Sequence, residues 1–168
     1  TKLFKMPKEI KLLLLDFSYT LCFPKTDEHI DSLNGLYSEI MQKNHSANPL
    51  DSFILNQELL DFLKTQKANY KIYVFTSGHM HTDPVIAQYL FPVFDGYITS
   101  AELGLPKSFP DAYKVIANKL DLDIEEILFV DDQQKNVVAA KTSGAQAIRF
   151  TNNTEVITEI RKNLETKL

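Results

Sequence analysis

Asp16 and the pair Asp131-Asp132 each end an apolar run, and Thr76-Ser77-Gly78 ends another. Ile10 to Leu15 leads into Asp16, Lys71 to Phe75 into Thr76, and Ile127 to Val130 into Asp131. If these runs are strands of one sheet, three carboxylates meet in one crevice. Like charges there repel, and a bound divalent cation is the usual resolution. Carboxylate, carbonyl and water together are the ligand set of magnesium. Taken singly, each Asp has a plainer reading, because an Asp after a strand is often the N-cap of the next helix. It is the set that points to a site.

The elements that must position these residues alternate between strand and helix signals. The run Ile10–Leu15 is apolar but for Lys11, as in a strand buried on both faces, though its leucines would also suit a helix. From Asp27 to about Asn44, Ile30, Leu33, Tyr37, Ile40 and Met41 recur at helical spacing until Asn48-Pro49 breaks the pattern. Further helices are predicted over Asn56–Lys67, Pro84–Leu90, Phe109–Leu120, Gln134–Thr142 and from Glu155 to about Lys167. Gly144 is placed to close the fifth of these six helices. Strands are predicted over Lys71–Phe75, Tyr97–Thr99, Ile127–Val130 and Gln146–Arg149. The order predicts an α/β fold, a doubly wound parallel sheet wrapped by helices. Right-handed crossovers then bring the carboxyl ends of the strands to one edge, where such sheets bind ligands.

The chain has 168 residues, 44% hydrophobic and 24% charged, enough for a single domain over 1–168 with its own core. The net charge of -4 includes no basic block, which argues against nucleic acid and anionic membrane as partners. The single Cys22 excludes an internal disulfide framework and is expected to be a buried hydrophobe in a reducing compartment, the cytoplasm by default. The longest apolar run, Leu12–Leu15, is too short to span a bilayer or form a signal core. Thr1 is not a methionine, so a few trimmed residues are expected ahead of it.

Four segments, in order, resemble the motifs of the haloacid dehalogenase-like (HAD) hydrolase superfamily. Leu13-Leu14-Leu15-Asp16-Phe17-Ser18-Tyr19-Thr20-Leu21 is similar to an apolar strand followed by D-x-D-x-T-L. Val74-Phe75-Thr76-Ser77-Gly78 resembles the second motif, and Gly104 to Tyr113, with Lys107 followed by Pro110, the third. Phe129 to Ala140, carrying Asp131-Asp132, resembles the fourth, with a matching tail at Gly144-Ala145. The resemblance runs from about Leu12 to Ile148. It implies a Rossmann-like HAD core with a small helical cap inserted over 22–50, and a magnesium-dependent phosphatase-type hydrolase. Asp16 would attack phosphorus and form an aspartyl-phosphate, dividing one hard displacement into two. Magnesium would be held by Asp16, the backbone carbonyl of Ser18, Asp132 and, beside it, Asp131. Thr76, Ser77 and Gly78 would bind phosphate oxygens, and Lys107 would meet the charge developing in the transition state.

Two positions depart from the pattern. Ser18 stands where such hydrolases often carry a general acid/base aspartate, a function typically worth about 10²–10⁴-fold, and a serine hydroxyl is too weak an acid to replace it. Tyr19 stands where glycine is common, giving a stiffer or bulkier loop. His29, His79 and His81 are candidate substitutes for the missing acid, with a surface role as the plainer reading of each. A small cap leaves the site open to a phosphorylated small molecule or a phosphoprotein. The rival reading is a non-catalytic or weakly active member of the same fold that binds a phosphorylated ligand or a protein partner. Its support is Ser18 and Tyr19, and against it stand the retained Asp16, Thr76, Lys107, Asp131 and Asp132. A flavodoxin-like receiver would share the sheet and the acids, but gives no reason for the Lys107–Pro110 segment to precede the acidic strand end.

Overall fold

The computed structural model describes residues 7–165. Its strands in chain order are β1 (Leu12–Leu15), β2 (Cys22–Pro24), β3 (Phe53–Leu55), β4 (Lys71–Thr76), β5 (Gly96–Thr99), β6 (Ile127–Asp131) and β7 (Gln146–Arg149). Its helices are α1 (Leu33–Lys43), α2 (Gln57–Gln66), α3 (Pro84–Leu90), α4 (Ser100–Leu103), α5 (Pro110–Lys119), α6 (Gln134–Ser143) and α7 (Asn153–Glu165).

All four leucines of β1 are buried, because both faces of this strand are covered. Side chains alternate across a strand. Leu13 and Leu15 therefore enter one core with Leu59, Leu60 and Leu63 of α2, Ile86 and Leu90 of α3, and Val156 and Ile160 of α7. Leu12 and Leu14 enter a second core with Ala112, Tyr113 and Ile116 of α5 and Ala139 and Ala140 of α6. Helices on both faces make the sheet doubly wound. The strand order is β5-β4-β1-β6-β7, with every pairing parallel. From β1 the chain moves out through β4 and β5, then returns to the other side of β1 through β6 and β7. The crevice at such a reversal is where open α/β sheets place ligands.

The predicted fold class is the observed one, and helix Pro84–Leu90 and strand Gln146–Arg149 have their predicted bounds. Gly144 has φ 106° and closes α6, as its position predicted. The helix predicted over Asp27–Asn44 begins only at Leu33, where the Ser32 hydroxyl caps α1 by accepting from Gly35 N–H. Ile30 kept the helical spacing without being helical, since it lies in the stretch leading to that cap. The antiparallel pair β2–β3 and the single-turn α4 were not predicted, each being too short to display a period. The predicted end of the last helix near Lys167 lies outside the described residues.

Candidate active site

Three strand ends bring polar groups to one edge of the sheet. Asp16 follows β1, Thr76 is the last residue of β4, and Asp131 is the last residue of β6. The register aligns β1 with both neighbours, Leu15 lying opposite Val74 on one side and Val130 on the other. Lys107 arrives from the segment between α4 and α5. That segment is held by the Tyr113 hydroxyl, which donates to the Lys107 carbonyl at 2.6 Å.

Asp16, Lys107 and Asp131 form a buried ion cluster, with exposures of 4%, 7% and 0%. The Lys107 ammonium donates to Asp16 Oδ1 and, at 3.2 Å, to Asp131 Oδ2. Thr20 Oγ1 donates to Asp16 Oδ2 at 3.2 Å. Asp131 is fixed further by Gln133 N–H on Oδ1 at 2.8 Å and by Asn136 Nδ2 on Oδ2 at 3.0 Å. Asp132 completes the group, and ligand oxygens of Asp16, Asp131 and Asp132 lie within 4.8 Å of one another. Asp132 Oδ1 is buried without a hydrogen-bond partner.

One cation among three carboxylates leaves this cluster short of positive charge. Burial pushes the Asp16 carboxyl up to about 6 against the pull of Lys107. Burial, and then the charge of Asp16, raises Asp131, and burial raises Asp132. Burial alone would lower Lys107, but Asp16 and Asp131 together hold its amine above the usual lysine value. A divalent cation fits this donor set. Three close carboxylates, one of which carries a buried oxygen with no partner, are hard ligands of the kind magnesium takes.

In front of Asp16 opens a cavity of about 190 Å³. Asp16, Ser18, Thr76, Ser77 and Lys107 line it, so the structure brings these sequence-identified residues together. Asp131 and Asp132 are not on its wall, and neither is Gly78. A Cβ on Gly78 would meet the Asn34 carboxamide, so glycine lets that side chain lie against the Thr76 loop. The Thr76 hydroxyl accepts from Gly78 N–H at 3.2 Å.

His29, His79 and His81 do not line this cavity. His79 packs edge-on to Tyr37 at 6.1 Å, and His81 is buried in a stack on Tyr97 at 5.0 Å. The far wall is made instead by Tyr19, Asp31, Ser32, Leu33 and Asn34, with Gln133 beside the acids. Sequence reasoning singled out Tyr19 for its bulk but missed the rest of that wall, and gave no role to Thr20 or Asn136. Ser32 was findable, being a good N-cap residue just ahead of a periodic apolar stretch.

A family model for haloacid dehalogenase-like hydrolases matches residues 15–144. Among curated proteins, the enolase-phosphatase E1 of Pseudomonas fluorescens (strain Pf0-1) is 25% identical over 125 residues, covering 71% of this chain and 54% of that protein. The chain thus spans about half the length of the curated relatives it first matches. A predicted phosphoglycolate phosphatase from Haemophilus somnus shares the fold with a TM-score of 0.65 at 17% identity, over 86% of each chain. A HAD family enzyme of Bacteroides thetaiotaomicron, solved with magnesium and inorganic phosphate, has a TM-score of 0.58 at 16% identity, over 84% of this chain and 94% of that one. At such identities the likeness is one of fold. No helix among the described residues is long and apolar enough to cross a membrane.

Proposed function

The chain belongs to the haloacid dehalogenase-like hydrolases, and from that premise we propose that it is a magnesium-dependent, phosphatase-type member with Asp16 as nucleophile. The observation that carries this reading is the floor of the cavity, where a buried Asp16 sits among Lys107, Thr76 and Ser77. In this reading Asp16, Asp132 and the Ser18 carbonyl, with Asp131, would hold magnesium, which would supply positive charge to the reacting phosphate.

The chain's own groups do the rest. A carboxylate oxygen of Asp16 forms a bond to phosphorus as the ester oxygen leaves, giving an aspartyl-phosphate. Thr20 and Lys107 orient that carboxylate by occupying one oxygen each. Lys107 also faces the cavity, where it meets charge on the transferring group, and burial strengthens that interaction. Thr76, through its hydroxyl, and Ser77 hold phosphate oxygens. Water then attacks phosphorus and frees Asp16.

Ser18 sets the limit of this chemistry. It cannot hand a proton to an alkoxide, so substrates whose leaving group is already a weak base, such as nitrophenyl or acyl phosphates, are favoured. The same residue supports a second reading, a weakly active protein that binds a phosphorylated small molecule or phosphoprotein.

Beryllium fluoride with magnesium mimics an aspartyl-phosphate and tests the proposal. Together they should raise the melting temperature of the native protein but not of Asp16→Asn, since a ligand of the folded state alone stabilises it. An equal rise in both proteins places the phosphate site elsewhere.

A further inference from the structure

Asn34 stands on the cavity wall with its polar atoms unused. Its Oδ1 is buried without a hydrogen-bond partner, and its amide nitrogen bonds to none of the described residues either. Other polar side chains of the site are already engaged, Thr20 and Lys107 with Asp16, and Asn136 with Asp131. A buried polar group left unpaired calls for a reason, and meeting a ligand is one.

The fold holds Asn34 in this place. It follows Leu33, which is 2% exposed, on α1, and α1 is anchored where the Tyr37 hydroxyl donates to buried Asp83 at 2.7 Å. The carboxamide lies against Gly78, in the space that a Cβ there would take. With Oδ1 closed off from solvent, Nδ2 is the polar atom of this side chain that a ligand in the cavity can reach.

In-line displacement decides which part of the ligand it meets. The attacking and leaving oxygens lie on opposite sides of phosphorus. With Asp16 attacking from the floor, the leaving group points to the far wall, where Asn34 stands. The cavity, about 190 Å³, is larger than a phosphoryl group needs, so the near part of the leaving group lies within it. The one charged side chain of that wall is Asp31, which disfavours a second anionic group there. A neutral group with a hydrogen-bond acceptor fits. Ser18 narrows the choice, because an alkoxide needs a proton that serine cannot give, whereas a carboxylate leaves without one.

We propose that Asn34 is a specificity residue whose Nδ2 donates to the carbonyl oxygen of an acyl phosphate, which makes acyl phosphates the substrate class of this site. The proposal deepens the reading of Asp16 as nucleophile and rests on it. As Asp16 bonds to phosphorus, the bond from phosphorus to the acyl oxygen breaks and the carboxylate departs with the electron pair. Water then hydrolyses the aspartyl-phosphate, giving phosphate and a proton. Nitrophenyl phosphate offers a good leaving group without a carbonyl beside the phosphate, and simple alkyl phosphates offer neither.

The test compares two ligands of similar shape that are not hydrolysed, each with magnesium. In acetonylphosphonate a methylene replaces the bridging oxygen of acetyl phosphate. In isobutylphosphonate a methyl group also takes the place of the carbonyl oxygen. Inorganic phosphate reports on the floor of the cavity alone. Affinities are measured by calorimetry for the native protein, Asn34→Leu and Asn34→Ala. The native protein should prefer acetonylphosphonate by roughly five- to tenfold, the scale of one net hydrogen bond. Asn34→Leu should lose that preference while binding inorganic phosphate as the native protein does. If leucine hinders folding, Asn34→Ala decides alone. Inorganic phosphate that binds while the native protein shows no preference, or while the variants keep it, overturns the proposal and leaves the phosphate reading intact. Equal losses for all three ligands place Asn34 on the phosphoryl group and overturn the proposal too. A native protein that binds none of the three overturns the phosphate reading, and this proposal with it.

Discussion

Asp131 and Asp31 both belong to the neighbourhood of the candidate site, and they are held in opposite ways. Asp131 ends a central strand, is wholly buried, and has its oxygens fixed by Lys107, Gln133 N–H and Asn136. Asp31 lies on a strap between elements with a side chain 98% exposed, meeting only His29 at 3.2 Å. The first region is built from the sheet, so its groups have one position and strong mutual fields. The second is an exposed stretch, tied to the core through Ile30. Substitutions at the sheet edge and in the exposed stretch should therefore have very different consequences.

The largest expected effect strikes the sheet edge. Lys107→Met keeps a similar volume but leaves Asp16 and Asp131 facing each other without their cation. Breaking a buried pair by removing one partner typically costs about 3–5 kcal/mol, and that loss is expected in urea unfolding without metal. Magnesium should recover part of it. An unchanged unfolding midpoint would show that the ion cluster is not what orders this edge.

Next comes Ser18→Asp, measured with magnesium saturating. It should speed alkyl phosphates selectively, by up to about 10²–10⁴-fold, with a smaller gain for nitrophenyl phosphate. The Tyr19 turn, left-handed at a φ of 58°, can hold the gain below that range if it misdirects the new carboxylate. Native protein that already hydrolyses both at one rate would show that another acid is at work, and Asp31 on the facing wall would be the next residue to replace.

The legibility of the sequence divides along the same line. Asp16, Thr76 and Asp131 were readable because each follows or ends a segment whose burial leaves a clear apolar signature, whereas Lys107, in the loop between α4 and α5, was reached only through the family resemblance. The doubly wound sheet follows from those same segments. The wall was not readable. Ile30 has helical spacing relative to Leu33 and Tyr37, yet its backbone is held by the Tyr19 hydroxyl, eleven positions earlier in the chain, while its side chain packs against the core. No local pattern encodes that contact. Strands β2 and β3, three residues each, are likewise stabilised by pairing with each other and not by their own periodicity.

Protons offer a gentler probe of the sheet edge. Burial raises Asp16 from the ordinary 3.8 to about 6 in the folded protein. Its contribution to metal-free stability is therefore present at low pH and lost as pH rises through about 6. Magnesium competes with those protons, so the thermal shift it produces should grow over the same rise and be absent from Asp132→Asn. A shift independent of pH, or one kept in that variant, would remove Asp16 and Asp132 from the metal site.

The smallest effect belongs to the wall. His29→Ala removes the ring stacked on Tyr19 from an exposed stretch, and stability should stay within about 0.5 kcal/mol of native. A loss of several times that would show the strap to be part of the core, erasing the contrast between the two regions.

The central claim is that Asp16 takes the phosphoryl group. Ser18 is as poor at drawing a proton from water as at giving one to a leaving group, so the covalent intermediate should decay slowly and accumulate. The native protein is mixed with acetyl phosphate and magnesium, quenched in acid, digested and analysed by mass spectrometry. The account predicts one added phosphoryl group on the peptide containing Asp16, absent without magnesium and absent in Asp16→Asn. A phosphoryl group on any other residue, or none while acetyl phosphate is being consumed, would contradict it.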